Sequence, residues 1–308
     1  MRLHLAGAED TRFTLMPLAG SSAADATSKP NLLCSYYYNR LSMGEKERMR
    51  WRNLYDKTDA NWIMDSGLFT LMFGAGAGQK YSFDELKRYT VKYIEYLREM
   101  NYRHVMVEMD VHKVLGLDAL AELRKYIADN WPIEKTIYVW HVEEDIDGLL
   151  ELANKYPYIA FSVPELRIIA KNRKQKLDVL LNNLMARVRR DASKYPKIHL
   201  LGCTQPGLMY NSNYYSTDST SWQSNLRFGR FQMFDGKKFV AYDKDSEVMQ
   251  KTYQRQESFI RTYIDIAKKQ IGQPNLETKP YDIRGAMSAC QHKRFEMTVN
   301  NQYYGGAK

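Results

Sequence analysis

Trp62-Ile63-Met64-Asp65-Ser66-Gly67 is an apolar run that stops on an acid, a hydroxyl and a glycine. Consecutive apolar residues suit a buried strand, and ending it with Asp65 sets a carboxylate on the rim of a core. Gly67 then allows a tight backbone turn or the close approach of a ligand. Asp65 taken alone has a second reading, as the cap of a following helix or turn. The design recurs, however. Residues 104–110 end in Asp110, residues 136–141 run into His141, residues 158–162 end in Ser162, and Asp218 lies in residues 214–219.

Helical patterns separate these runs. Ser82 with Glu85 three residues on is a capping-box arrangement, and Leu86, Tyr89, Tyr93, Tyr96 and Leu97 follow at helical spacing. Residues 117–130 and 145–155 are helical in pattern. Residues 174–193 carry Leu177, Leu180, Leu181, Leu184 and Val188 on one face. Further strands are expected at residues 3–8, 31–38 and 198–202, and a charged helix at 45–54. Short apolar strands alternating with helices indicate a parallel sheet, and seven or eight such units fit an α/β (β/α)8 barrel of TIM type. A doubly wound open sheet is the alternative, but no GxGxxG follows the first strand. The barrel is the reading adopted, and it brings Asp65, Asp110, His141, Ser162 and Asp218 to carboxyl ends of strands, where such barrels hold their chemistry.

With 308 residues, 44% of them hydrophobic, the chain can bury a large core, and one domain spanning 1–308 is expected. Residues 223–308 are read as additions: a hairpin turning at Asp235-Gly236, a helix over 248–270 and a last helix over 284–299. Gly74-Ala75-Gly76-Ala77-Gly78 is a loop that matches no phosphate-binding motif. No run of eighteen apolar residues exists, so no membrane helix is expected, and the start of the chain reads as a strand. Cys34, Cys203 and Cys290 lack CxxC spacing, which suits a reducing, cytoplasmic setting and no cysteine-built zinc site. A net charge of +9 suits an anionic partner. Its densest basic stretch holds Lys171, Arg173, Lys174 and Lys176, then Arg189 and Arg190. It reads as a phosphate track or as a solvated helix face. Tyr36-Tyr37-Tyr38 can stack on a base, though at least one of them is expected in the core.

Asp65-Ser66-Gly67-Leu68-Phe69 resembles the Asp-Ser-Gly-Gly-Phe-Gln motif of tRNA-guanine transglycosylases. Asp110 stands where that family has its base-recognising aspartate. Ser162-Val163-Pro164-Glu165 is similar to its Val-Gly-Glu segment, and the 199–206 stretch, with Gly202 and Cys203, to its Leu-Met-Gly-Val-Gly-Thr-Pro strand. Asp218 takes the place of the nucleophilic aspartate. The order agrees over roughly residues 3–222. The family's three-cysteine, one-histidine zinc motif is absent, since Cys290 and His292 are the sole remnants, and Leu68 and Thr70 replace a glycine and a glutamine. This combination looks more like the phage-type DNA relatives, which exchange guanine in DNA for a 7-deazaguanine such as preQ0 or preQ1.

The resemblance implies catalytic roles for Asp65 and Asp218. It implies substrate contacts from Ser66, Gly67, Phe69, Asp110, Ser162, Glu165, Gly202 and Cys203, and His141, at a strand end, reads as a further substrate contact or as a satisfied rim histidine. It implies DNA as partner with tRNA as alternative and no cofactor, and leaves a homodimer open, while the missing cysteine cluster leads to the expectation of no metal. Exchange at C1′ with retention needs one carboxylate as nucleophile and a second acid/base group. A non-catalytic nucleic-acid-binding barrel is the other class that stays open.

Overall fold

The computed structural model of the protein describes residues 1–41, 45–73, 79–210, 214–227, 230–243 and 245–304. Eight strands close a barrel in chain order: β1 (Arg2–Ala6), β2 (Asn31–Ser35), β3 (Asn61–Asp65), β4 (Val105–Val107), β5 (Thr136–Trp140), β6 (Tyr158–Ser162), β7 (Lys197–Leu201) and β8 (Ser216–Ser219). The pairs run parallel, as Ile63 beside Val105 and Trp140 beside Phe161, and β8 returns to β1 with Asp218 beside His4. Helices connect successive strands, so the (β/α)8 expectation holds. Strands covered on both faces have no wet side. β2 and β5 are accordingly buried along their whole length.

By packing, the residues fall into two units, one of Met1–Leu33, Glu45–Trp62 and Cys203–Lys308, the other of Cys34–Gly44 and Ile63–Gly202. In the first, the helix Thr11–Ala24 follows β1 and packs on the last helix, Pro280–Tyr304. Asp10 caps it by accepting from the backbone of Arg12 and Phe13. Its buried positions run from Thr14 to Ser21 without a break. A helix enclosed on all sides shows no polar stripe, so the sequence carries no amphipathic signal for it. Backbones come close here: a Cβ on Gly20 would stand 2.3 Å from the Ala286 carbonyl oxygen, and one on Gly285 2.0 Å from Met16 Sδ.

The same unit holds the expected hairpin, β9 (Arg230–Phe234) with β10 (Phe239–Asp243) antiparallel to it. Asp235 Oδ1 accepts from the amides of Lys237 and Lys238 at 2.8 Å, and Gly236 takes a positive φ of 97°. The helix Glu247–Gln270 matches its reading, and the last helix begins four residues earlier than read, at Pro280. The Gly74–Gly78 loop lies outside the described residues. Among the described residues no helix is long and apolar enough to cross a membrane.

Cys290 and His292 are both buried in the last helix. His292 Nδ1 lies 2.9 Å from the Ser288 carbonyl oxygen, which only accepts, so Nδ1 carries the proton and Nε2 faces the Ser221 hydroxyl at 3.1 Å. The Phe239 ring stacks on the imidazole at 4.5 Å. Both nitrogens are therefore used within the protein. Burial disfavours the imidazolium and lowers the His292 pKa from 6.5 to about 4.

The unfolded chain thus takes a proton that the folded chain refuses, and stability falls as pH drops from 6.5 to about 4. This one group accounts for a loss of about 3 kcal/mol over that window. Urea unfolding of His292→Gln and wild type at several pH values should show a shallower decline in the variant by that amount. Parallel curves would remove His292 as a source of acid sensitivity.

Candidate functional site

Four of the expected strand-end residues, Asp65, Asp110, His141 and Ser162, stand at the carboxyl ends of β3 to β6, within the second unit. Asp65 is the last residue of β3. Its Oδ2 accepts from the Gly67 amide at 3.1 Å, and Ser66 Oγ accepts from Leu68 at 3.4 Å, so the turn is held by its own side chains. Gly67 has φ of 76°, and a Cβ there would lie 2.4 Å from Tyr37 Cβ and 2.5 Å from Ser35 Oγ. Only glycine fits both demands. Phe69, expected beside the substrate, is 75% exposed.

Tyrosines of the helix Phe83–Glu99 pin this turn from behind. The Ser82–Glu85 capping box starts that helix as the sequence indicates. Tyr89 donates to the Ser66 carbonyl at 2.7 Å, and Tyr93 donates to the Met64 carbonyl at 2.7 Å with the Val107 carbonyl at 3.3 Å. Tyr93 thereby bridges β3 and β4. Tyr36 packs against the rings of Tyr89, Tyr93 and Tyr96 and is core, whereas Tyr38 is 41% exposed.

Asp110 lies three residues beyond β4. Part of its surface stays accessible, yet protein surrounds it closely. Its carboxyl is pushed well above the usual range, by burial first and then by the negative charges of Asp65 and Glu108. Asp65 and Asp110 are thus electrostatic neighbours at the ends of adjacent strands.

Glu108 is fully buried and accepts from the Val139 amide at 2.7 Å. Arg124, from the helix His112–Asn130, reaches it at 3.0 Å, and also reaches Glu144 at 2.7 Å and the Val139 carbonyl at 3.0 Å. Glu144 in turn accepts from the His141 amide at 3.0 Å. One guanidinium therefore ties the segments after β4 and β5 together, using the fork that suits paired carboxylates.

Against this frame stand His112, His141 and Glu165. The two imidazoles stack with centroids 3.3 Å apart at 21°. His141 Nδ1 is 3.4 Å and His112 Nε2 3.7 Å from the Glu165 carboxylate. Lys113 Nζ is 2.9 Å from Glu165 and also pairs with Glu143. Burial would raise the Glu165 pKa, but His112, His141 and Lys113 around the carboxylate outweigh it and hold the group well below the usual range. One donor atom from each of His112, His141 and Glu165 lies within 4.8 Å of the others, a grouping able to take a metal ion.

Ser162 ends β6 half-buried, and Gly202, at φ of 66°, lies close to Pro164. In the first unit Cys203 is buried, and its amide donates to the Asp218 carbonyl at 2.8 Å. Asp218 is buried in β8. The basic residues do not form one cluster. Lys171, Arg173, Lys174 and Lys176 are exposed between the helices Val163–Asn172 and Leu177–Asp191. Arg189 and Arg190 end the second of these helices, about 20 Å along its axis. There Arg190 pairs with Asp191 and Arg189 covers the Tyr195 ring.

The sequence reading misses Glu108, Arg124, Glu144, His112 and Lys113. A signal existed for one of them: Arg124 falls among Leu120, Leu123 and Ile127 on the buried face of its helix, where a charge needs a partner. No model of a known protein family matches this chain, and no curated protein matches it.

Arg124→Met should strand Glu108 as an unpaired buried charge and cost about 3–5 kcal/mol of unfolding free energy. Adding Glu108→Gln should recover most of that loss. A single variant within about 1 kcal/mol of wild type would show that the network does not hold the site.

Proposed function

We propose that the chain is a base-exchange transglycosylase that replaces guanine in DNA with a 7-deazaguanine base such as preQ0 or preQ1. The observation that carries this reading is the juxtaposition of two carboxyl groups, Asp65 and Asp110, at neighbouring strand ends. Guanine offers two adjacent donors, N1–H and the N2 amine, which an Asp110 carboxylate accepts, the proton of the acid pair then residing on Asp65. Asp218 attacks C1′ as the bond to N9 breaks, leaving a sugar–aspartyl ester. Asp65 gives its proton to the departing guanine, then takes one from N9 of the incoming base while C1′ passes from Asp218 to that nitrogen. Two displacements return the original configuration, the logic of retaining glycosidases. A duplex must first flip the target base out.

The exposed Lys171, Arg173, Lys174 and Lys176 support the choice of a polyanionic substrate. DNA with labelled guanine should release label in the presence of a 7-deazaguanine, and tRNA presented alongside should release less. Release from tRNA alone would move the reading to the RNA enzymes. Asp218→Ala should abolish the protein–DNA adduct seen on a denaturing gel, and an undiminished adduct would remove Asp218 from its role.

Two further variants separate track from pocket. Neutralising the four exposed basic residues should weaken binding to all DNA sequences and lower the log–log salt slope by about one unit per lost phosphate contact. Asp110→Asn should cut guanine exchange at unchanged DNA affinity and slope. An unaltered slope in the first variant would make the stretch a solvated surface.

A further inference from the structure

We infer that His112, His141 and Glu165 form a binding site for one divalent transition-metal ion of the zinc class, with Lys113 as the internal cation that competes for it. The inference does not rest on base exchange, and it runs against the metal-free expectation drawn from the cysteines.

The three residues follow β4, β5 and β6, three neighbouring strands, so the barrel itself converges them. His112 Nδ1 lies 3.3 Å from the Asp110 carbonyl oxygen, which can only accept. The proton therefore sits on Nδ1 and the lone pair on Nε2, the tautomer that a ligating histidine takes when a backbone carbonyl holds its other nitrogen. That Nε2 is buried and makes no hydrogen bond, and the same is true of His141 Nε2. Two unpartnered buried imidazole nitrogens, on stacked rings that both face one carboxylate, are an uncommon way to leave a protein interior. An ion would satisfy them.

The donor set selects the ion. Two imidazoles and a carboxylate suit zinc, iron(II) or cobalt(II), whereas magnesium and calcium prefer oxygen alone. Three protein ligands leave a position open for water, the arrangement of catalytic rather than structural sites. At bonds of 2.0–2.1 Å, tetrahedral ligands stand about 3.3 Å apart, so donors now within 4.8 Å must draw in as the stacked rings turn. Charge allows this. Glu143 and Glu165 carry two negative charges against the single Lys113 ammonium, whose side chain is 46% exposed and free to swing outward. A divalent ion would balance both carboxylates where the lysine balances one.

The test is direct binding of the metal alone to the full chain after chelator treatment and dialysis. Cobalt(II) titration should give visible ligand-field bands that saturate at one ion per chain, are displaced by zinc and persist in excess magnesium. Glu165→Gln and His141→Gln should each weaken cobalt binding by about 100-fold or more, beyond the usual loss from an outer-shell change. Lys113→Met should tighten it. Circular dichroism checks that the variants fold, and if the ligand variants do not, Lys113→Met decides. No cobalt spectrum, unchanged affinity in folded ligand variants, or unchanged affinity in Lys113→Met would each overturn the site. Because the readout is metal binding, its failure leaves base exchange untouched, and failure of base exchange leaves the metal site standing.

Discussion

A carboxylate buried without water must find positive charge, and Glu108 finds it in Arg124. That requirement organises the mouth of the barrel at β4 and β5. Glu108 cannot leave its position because it also receives the Val139 amide. Arg124 cannot leave because Glu108, Glu144 and a backbone carbonyl together occupy its fork. The segments carrying Asp110, His112 and His141 are spaced by this contact. Removing two charges from water is expensive, and a hydrophobic pair of similar volume would often be as stable. The gain here is positional, since the carboxylates fix where neighbouring functional side chains stand.

A second device acts at β3. Tyrosine hydroxyls reach carbonyl oxygens that the barrel ladder leaves at strand ends, so Asp65 rests on a turn that is bonded on both sides. Gly67 lets Ser35 and Tyr37 come within contact of that turn. A rigid backing of phenols and close-packed backbone fixes the Asp65 carboxylate better than a mobile loop would.

The sequence is legible where a local pattern states a physical need. Asp65-Ser66-Gly67 announces its turn, the Ser82–Glu85 box its helix, and Asp235-Gly236 its hairpin. It is illegible where the environment is uniform or the partners are distant. The helix Thr11–Ala24 is buried on every side and includes Pro17 and Gly20, so neither periodicity nor propensity reveals it. The run 174–193 reads as a helix and is one, Leu177–Asp191, whereas the helix Val163–Asn172 before it goes unread, with Lys174, at φ of 50°, between the two. His141 and Glu165 stand 24 residues apart and meet only because β5 and β6 are adjacent. No linear spacing encodes such a meeting.

The packing of the first helix on the last has a consequence for how the protein is made. Arg12 pairs with Asp282, the Leu3 amide bonds Glu296, and Met1 bonds Asn300, contacts separated by 270 to 299 residues. During synthesis the opening strand and its helix emerge long before the residues that cover them. The second unit needs only residues 34–202 and can gather its contacts while the remainder is still being translated. An apolar helix waiting for its partner is an exposed surface, and closing so long a loop is slow. Any chaperone dependence of the chain would arise from this meeting of its two ends.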